Sequence, residues 1–142
     1  MSNLNIYIEK LRQSGLRPTR QRLKICEVLF SPEKTFHFTI NDLTKIIQEK
    51  LGEKISLATV YNTVHAFKKK NYLKEISINS DKSYFDTNVT YHHHFFDEDT
   101  SELIDCSNDN IDFVNVKQNV TGKKIKSIEV LIKVATDNQN QK

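Results

Sequence analysis

The stretch SLATVYNTVHAFKKK at residues 56–70 decides how the first half of the chain folds, because it has every mark of one amphipathic helix. Ser56 is a good N-cap, since its hydroxyl can accept a hydrogen bond from an amide of the first turn. Apolar side chains recur at helical spacing along one stripe, at Leu57, Val60, Val64 and Phe67. The lysines at 68–70 suit the negative end of the helix dipole. The stretch therefore predicts a helix that packs through one side and exposes the other.

Three more helices are predicted before this stretch and a hairpin after it. Apolar spacing and end signals place the three helices over residues 4–14, between Pro18 and Ser31, and between Thr39 and Gly52. After residue 72 the pattern changes to alternation, and strands over residues 73–78 and 83–85 flank a turn of Asn, Ser, Asp and Lys. Four helices followed by a hairpin predict a winged helix-turn-helix domain.

The side of the 56–70 helix away from the apolar stripe carries small polar and aromatic side chains and no acid. Such side chains reach base edges in the major groove, while arginines and lysines contact phosphates. All four arginines of the chain fall within residues 12–22. We predict double-stranded DNA as the partner, although a solvated polar face is the plainer explanation for such a surface. The candidate DNA-binding residues are Arg17, Arg20, Arg22, Ser56, Thr59, Tyr61, Asn62, His65 and Lys69.

The second half of the chain is predicted to be a small α/β domain, which makes the fold class α+β. Strands are expected near residues 92–96, 102–106 and 125–134, with a helix near residues 109–120 between the last two. The predicted division is a DNA-binding domain at residues 1–86, a dimerisation and sensing domain at residues 87–136, and a polar tail at residues 137–142.

Composition excludes several classes of protein. No apolar run approaches the length of a membrane span, and the N-terminal residues lack the pattern of a signal peptide. Cys26 and Cys106 lie far apart, so neither a disulfide framework nor a zinc site built from four cysteines is expected. Residues 1–85 hold 15 basic against 8 acidic side chains, whereas residues 86–142 hold 6 against 10. We expect a soluble, cytoplasmic protein that joins a polyanion-binding half to an acidic, histidine-bearing half.

Three consecutive histidines form the strongest candidate binding site. In a strand, His92 and His94 share one face and His93 lies on the other. Two imidazoles on one face can supply ligands to one site, and the neighbouring phenylalanines suit a flat apolar ligand such as haem. A histidine that only supports the fold is the competing explanation. Carboxylates and imidazoles together suit iron, manganese or zinc, and the scattered residues of those types are His37, Asp86 and Asp105.

The motifs, taken in order, resemble the ferric uptake regulator family. They are LRPTRQRL at residues 16–23, SLATVYNT at 56–63, KSYFD at 82–86 and HHH at 92–94, and the match runs over about residues 11–134. Residues 84–96 are similar to the iron response regulator branch, which also lacks paired Cys-x-x-Cys motifs. The resemblance implies a homodimer that binds a palindromic operator and is not an enzyme. It assigns an interdomain metal site to His37, Asp86, His94 and Asp105, with Phe96 where the family has a further histidine.

Two functions follow from the resemblance. The leading hypothesis is a haem-responsive transcriptional regulator of iron and haem homeostasis, with haem held by His92, His93 and His94 and weakening DNA binding. No Cys-Pro haem motif is present, because Cys26 precedes Glu27. The alternative is a regulator that uses Fe²⁺ or Mn²⁺ as corepressor, and Zn²⁺ also suits the site. A small metalloenzyme is disfavoured because no candidate nucleophile or general base accompanies the histidines. A haem-buffering protein would leave the arginine cluster unexplained.

Overall fold

The computed structural model describes residues 3–112 and 114–138, which divide into two compact units. The first unit ends at Val89 and the second begins at Thr90, whereas the sequence predicts a boundary after residue 86. Each unit has its own three-stranded sheet.

Four helices build most of the first unit. They are α1 (Asn3–Gln13), α2 (Arg20–Phe30), α3 (Ile40–Leu51) and α4 (Leu57–Lys69). The Thr19 and Ser56 side chains accept hydrogen bonds from first-turn amides of α2 and α4. Thr39 and Asp42 form a complete capping box at the start of α3. Gly52 ends α3 in the left-handed region, at φ 62°, where glycine is tolerated without strain. All four predicted helices are confirmed.

A sheet of three short strands completes the first unit. Strands β2 (Lys74–Asn79) and β3 (Lys82–Asp86) form the predicted hairpin, and β1 (His37–Phe38) pairs antiparallel with the other edge of β3. The sequence did not predict β1, because two residues are too few to show alternation. The pairing sets His37 opposite Asp86 and Phe38 opposite Phe85. Helices followed by this hairpin confirm the winged-helix architecture.

The core of the first unit is where its helices and sheet meet. Phe38 and Phe85 come from the sheet, while Val64 and Phe67 come from the apolar stripe of α4, and all four are almost fully buried. Burying each such side chain is worth about 1.5–3 kcal/mol relative to leaving it in water. The stripe predicted for α4 is confirmed at three positions, but Leu57 at its start is half exposed, at 51%.

The second unit is a mixed sheet. Its strands are β4 (His93–Asp97), β5 (Glu102–Cys106) and β6 (Leu131–Val134), in the order β5-β4-β6. β4 pairs antiparallel with β5 and parallel with β6, so the histidine-bearing strand is central. Strands near residues 92–96 and 102–106 are confirmed.

One prediction for the second unit is wrong, and another is confirmed only in part. In place of a helix near residues 109–120 the structure has one short 3-10 turn (Asn108–Asn110), and residues 111–112 and 114–120 form no helix. Phe113, within the predicted helix, lies outside the described residues. Val114, Val116 and Val120 are β-branched and exposed, so neither propensity nor burial favours a helix. The last predicted strand shortens to Leu131–Val134, the part that pairs with β4.

Two features of the described residues bear on the class of protein. No helix among residues 3–112 and 114–138 is long and apolar enough to cross a membrane. Cys26 and Cys106 are both buried and free. Burial raises the pKa of the Cys26 thiol to about 12, so this sulfur stays protonated and unreactive at neutral pH.

Candidate nucleic-acid interface and metal centre

The predicted DNA-reading side of α4 is exposed at three of its candidate residues. Tyr61 is 51% exposed, and Asn62 and Lys69 are exposed as well. The Ser56 and Thr59 hydroxyls lie 2.9 Å apart and hydrogen bond to each other, while Ser56 also caps the helix. These two hydroxyls are therefore committed to the helix terminus, and Tyr61 and Asn62 are the side chains most available for base contacts.

Two of the three candidate arginines, Arg20 and Arg22, make side-chain contacts that the sequence did not reveal. Arg22 Nη1 donates a hydrogen bond of 3.0 Å to the carbonyl of Arg17, the third candidate, which is exposed. Arg20 Nη2 lies 2.5 Å from Glu53 Oε1, although the arginine side chain is 79% exposed. Glu53 thus places a negative charge beside a predicted phosphate contact, and no sequence pattern pairs two residues so far apart.

His65 differs from the other candidates because it is half-buried and packs between two rings. Its imidazole centroid lies 4.1 Å from that of Tyr61 and 5.3 Å from that of Phe85. Burial lowers the pKa of His65 below its ordinary value, with Lys68 and Lys69 acting in the same direction and Glu75 opposing. The ring is therefore predominantly neutral at pH 7.

In the second unit, two of the three consecutive histidines converge on one carboxylate. His92 Nε2 lies 3.2 Å and His94 Nε2 3.4 Å from the same oxygen, Asp105 Oδ1. The two imidazole centroids are 4.5 Å apart, and both rings are buried. Strand pairing explains the convergence, because His94 on β4 is directly opposite Asp105 on β5. The structure thus brings together two predicted metal ligands, His94 and Asp105, with His92, which the sequence assigned to haem alone.

A backbone hydrogen bond shows which nitrogen of the His92 ring carries the proton, and therefore that the other nitrogen, which faces Asp105, has a lone pair. His92 Nδ1 is 2.7 Å from the Thr90 carbonyl oxygen. A carbonyl only accepts, so Nδ1 carries the proton and, in the neutral ring, Nε2 is an acceptor. A bound cation would meet the Nε2 lone pair and the carboxylate oxygen together, because the two atoms are 3.2 Å apart. Metal-bound histidines are oriented by this kind of backbone hydrogen bond.

His93 has a different environment from its neighbours. The Val130 amide donates to its Nδ1 over 3.0 Å, so Nε2 carries the proton and donates to Asn108 Oδ1, also over 3.0 Å. The alternation of the three histidines between two faces is as predicted. Both nitrogens of His93 thus hold structural partners, a pattern that spacing alone does not reveal.

The remaining predicted metal ligands form a pair inside the first unit. His37 on β1 lies opposite Asp86 on β3, with Nε2 3.2 Å from Oδ2. Asp86 is only 1% exposed, and its other oxygen accepts a hydrogen bond of 2.8 Å from the Asn88 amide. This pair also combines an imidazole with a carboxylate, the donor types that suit iron, manganese and zinc. No signal in the sequence pairs these two residues, because β1 was not predicted.

Comparison with known proteins identifies the family. The model of the "Ferric uptake regulator family" matches residues 13–133, which is most of the chain. The chain belongs to the ferric uptake regulator family. The ferric uptake regulation protein of Yersinia pestis is 36% identical over 103 residues, covering 72% of this chain and 68% of that protein. The peroxide operon regulator of Bacillus subtilis is 31% identical over 119 residues, covering 83% and 80%.

Solved structures of the ferric uptake regulator family share the fold. The Vibrio cholerae ferric uptake regulator superposes with a TM-score of 0.67 at 26% identity, covering 91% of this chain and 98% of that one. Family membership places the chain among DNA-binding, metal-responsive regulators rather than enzymes. The same matches do not distinguish the iron response regulator branch from the rest of the ferric uptake regulator family.

Proposed function

We propose that this protein is a transcriptional regulator that binds DNA more tightly when it holds a divalent metal ion such as Mn²⁺ or Fe²⁺. The observation that carries the proposal is the convergence of His92 Nε2 and His94 Nε2 on one oxygen of Asp105. Two imidazoles and a carboxylate suit these ions and Zn²⁺, and no thiolate is required. The Thr90 carbonyl holds the His92 ring with its Nε2 turned toward that oxygen.

The proposal extends to His37 and Asp86 as further ligands of the same ion. This extension rests on the family resemblance and on the chemistry of the pair, which is again an imidazole beside a carboxylate. Asp86 is buried, so a metal ion bound there would meet an anion that water screens poorly. Phe96 is buried where the family has a histidine, and we therefore expect this ion to have one protein ligand fewer than in relatives that keep the histidine.

DNA recognition is assigned to α4, with the chain acting as a homodimer as in its family. Two copies of α4 would enter successive major grooves of a palindromic operator, because a two-fold protein matches a two-fold site. Tyr61 and Asn62 are the exposed residues that would read bases, and asparagine favours adenine. Arg17 and Lys69 would contact phosphates. A regulator of this kind acts where the DNA lies, so we place it in the cytoplasm.

The experiment that tests this function is a DNA titration by fluorescence anisotropy, on a duplex selected from a random pool with the metal-loaded protein. Dissociation constants are compared in EDTA, in Mn²⁺ and in haem, each at one fixed salt concentration. The proposal predicts tight binding in Mn²⁺, weak binding in EDTA and little effect of haem. Binding that is unchanged by EDTA would contradict it.

Replacing His37 separates the two parts of the proposal. If His37→Gln lowers the affinity for Mn²⁺, the first unit contributes ligands to the ion. If His37→Gln leaves that affinity unchanged while His94→Gln abolishes it, only the second-unit residues hold the ion. A thermal melt of each variant without metal serves as the folding control.

Haem responsiveness is the competing prediction from the iron response regulator resemblance. It would use His92, His93 or His94 as the axial ligand, and all three are buried. Haem ligation by His93 would require it to give up one of its partners, Asn108 at Nε2 or Val130 at Nδ1. Release of DNA by haem, lost when the three histidines are replaced by alanine, would favour that function over metal corepression.

A further inference from the structure

A row of four contacting rings crosses the first unit from the predicted DNA-reading side of α4 to the sheet. The Tyr61 and His65 centroids are 4.1 Å apart, and His65 meets Phe85 edge-on at 5.3 Å. Phe85 stacks on Phe38 at 5.9 Å across the β3–β1 pairing. Exposure falls along the row, from 51% at Tyr61 to 1% at Phe85 and Phe38. The row therefore has one end at the surface and the other in the core.

The buried end of the row is joined to the proposed metal ligands of the first unit. Phe38 directly follows His37, and Phe85 directly precedes Asp86. The antiparallel pairing of β1 with β3 holds these four residues, because it sets His37 opposite Asp86 and Phe38 opposite Phe85. A change in the spacing of His37 and Asp86 is therefore passed to the two phenylalanines, because Phe38 shares the two-residue strand β1 with His37 and Phe85 adjoins Asp86 on β3.

We propose that His65 is a positioning residue, which holds the Tyr61 ring for base reading and couples it through Phe85 to the strands that carry His37 and Asp86. This inference rests on the proposed function and names how the metal signal reaches the DNA surface. It also changes the part expected for His65, from a direct DNA contact to a support for one.

The surroundings of His65 suit this part better than direct base contact. Its ring is half-buried and lies against Tyr61 on one side and Phe85 on another. Burial keeps the imidazole predominantly neutral, so the contact is between uncharged rings. An exposed tyrosine without this contact would have more rotamers to lose when it binds DNA, which weakens binding.

The test compares His65→Ala with His65→Phe in the full chain. Phenylalanine keeps a ring between Tyr61 and Phe85 but offers no hydrogen bond to a base. We expect His65→Ala to weaken binding to the selected duplex about 10-fold in Mn²⁺, and His65→Phe to stay within about 3-fold of the wild type. His65→Ala should also reduce the ratio of the EDTA and Mn²⁺ dissociation constants, and His65→Phe should preserve it. An unchanged affinity or an unchanged ratio in His65→Ala would overturn the proposal.

A double-mutant cycle with Tyr61→Ala distinguishes support from direct contact. If His65 acts through Tyr61, adding His65→Ala to Tyr61→Ala costs less than about 2-fold further. An equal loss in both backgrounds, together with failure of His65→Phe to restore binding, would show that His65 contacts DNA itself and would overturn the proposal.

Two controls keep these outcomes separate from folding and from the proposed function. Thermal melts of each variant report folding. If the alanine variant does not fold, His65→Leu replaces it, because leucine fills the volume without a ring. The leucine variant should then behave as predicted for alanine. If the wild type shows no Mn²⁺-dependent DNA binding, the proposed function fails. If the wild type responds and the His65 variants bind and respond as it does, only this inference fails.

Discussion

Replacing Asp105 by asparagine should remove the metal response while leaving the metal-free fold nearly unchanged. The Asp105 side chain is 49% exposed, and asparagine keeps its size and an oxygen that can accept hydrogen bonds from the two buried imidazoles. We therefore expect a metal-free loss of free energy of unfolding of about 1 kcal/mol, the net contribution of one typical hydrogen bond. The same oxygen lies near both His92 Nε2 and His94 Nε2, so the variant takes the anionic donor away from both imidazoles.

The expected loss of metal stabilisation can be worked out from linkage. At a Mn²⁺ concentration 100 times the dissociation constant, binding adds about 2.7 kcal/mol to the free energy of unfolding. Changes outside the ligand shell already cost 10–100-fold in metal affinity, and loss of a direct ligand should reach at least about 100-fold. At the same Mn²⁺ concentration the variant would then gain only about 0.4 kcal/mol.

Thermal unfolding with and without Mn²⁺ measures both quantities in one experiment. Glu102→Gln is the matched control, because it removes an exposed carboxylate from the same strand, β5, at a position opposite Asp97. The control should keep the full Mn²⁺ shift. A full Mn²⁺ shift in Asp105→Asn would refute the assignment of Asp105 as a ligand.

Three further predictions follow from the first unit. Leu43→Ala should lower the free energy of unfolding by about 3 kcal/mol, because the side chain is fully buried in the core. Urea denaturation measures this free energy, and a loss below about 1 kcal/mol would contradict that packing. Burial and the charges of Lys68 and Lys69 outweigh Glu75 and lower the pKa of His65. The contribution of His65 to stability is therefore complete above about pH 6.5 and is lost as the pH falls through the folded-state pKa. His65→Phe does not titrate, so it should gain stability relative to the wild type between pH 7 and pH 5. Because the pKa of Cys26 is raised to about 12, its thiol should resist Ellman's reagent until the protein unfolds, and rapid labelling in the native state would show the sulfur to be accessible.

The helical part of the fold was predictable because its signals are local. A few adjacent residues indicate where a helix begins and which side of it is buried. The capping box of Thr39 and Asp42 marks the start of α3, and Ser56 marks the start of α4, whose apolar stripe follows it. The same kind of argument failed near residues 109–120, where three valines at positions 114, 116 and 120 are exposed. Spacing alone cannot show whether a stripe finds a surface to pack on.

The candidate site was predictable by residue type and less so by partner. Alternation along a strand places His92 and His94 on one face, and this much needs only the sequence. The carbonyl of Thr90 that orients His92, and the Val130 amide that engages His93, are backbone groups that carry no residue signature. The packing of His65 on Phe85 joins a helix to a strand, so from the sequence alone His65 is only one more polar residue of an exposed face.

Reciprocity is the sharpest test of whether metal binding and DNA binding are coupled in this protein. Isothermal titration gives the dissociation constant of Mn²⁺ for the free protein and for the protein saturated with its operator. Coupling requires DNA to tighten Mn²⁺ binding by the same factor by which Mn²⁺ tightens DNA binding, because the two factors are one coupling free energy. We expect the two Mn²⁺ dissociation constants to differ by that factor, and equal constants with and without DNA would show that the metal does not control DNA binding.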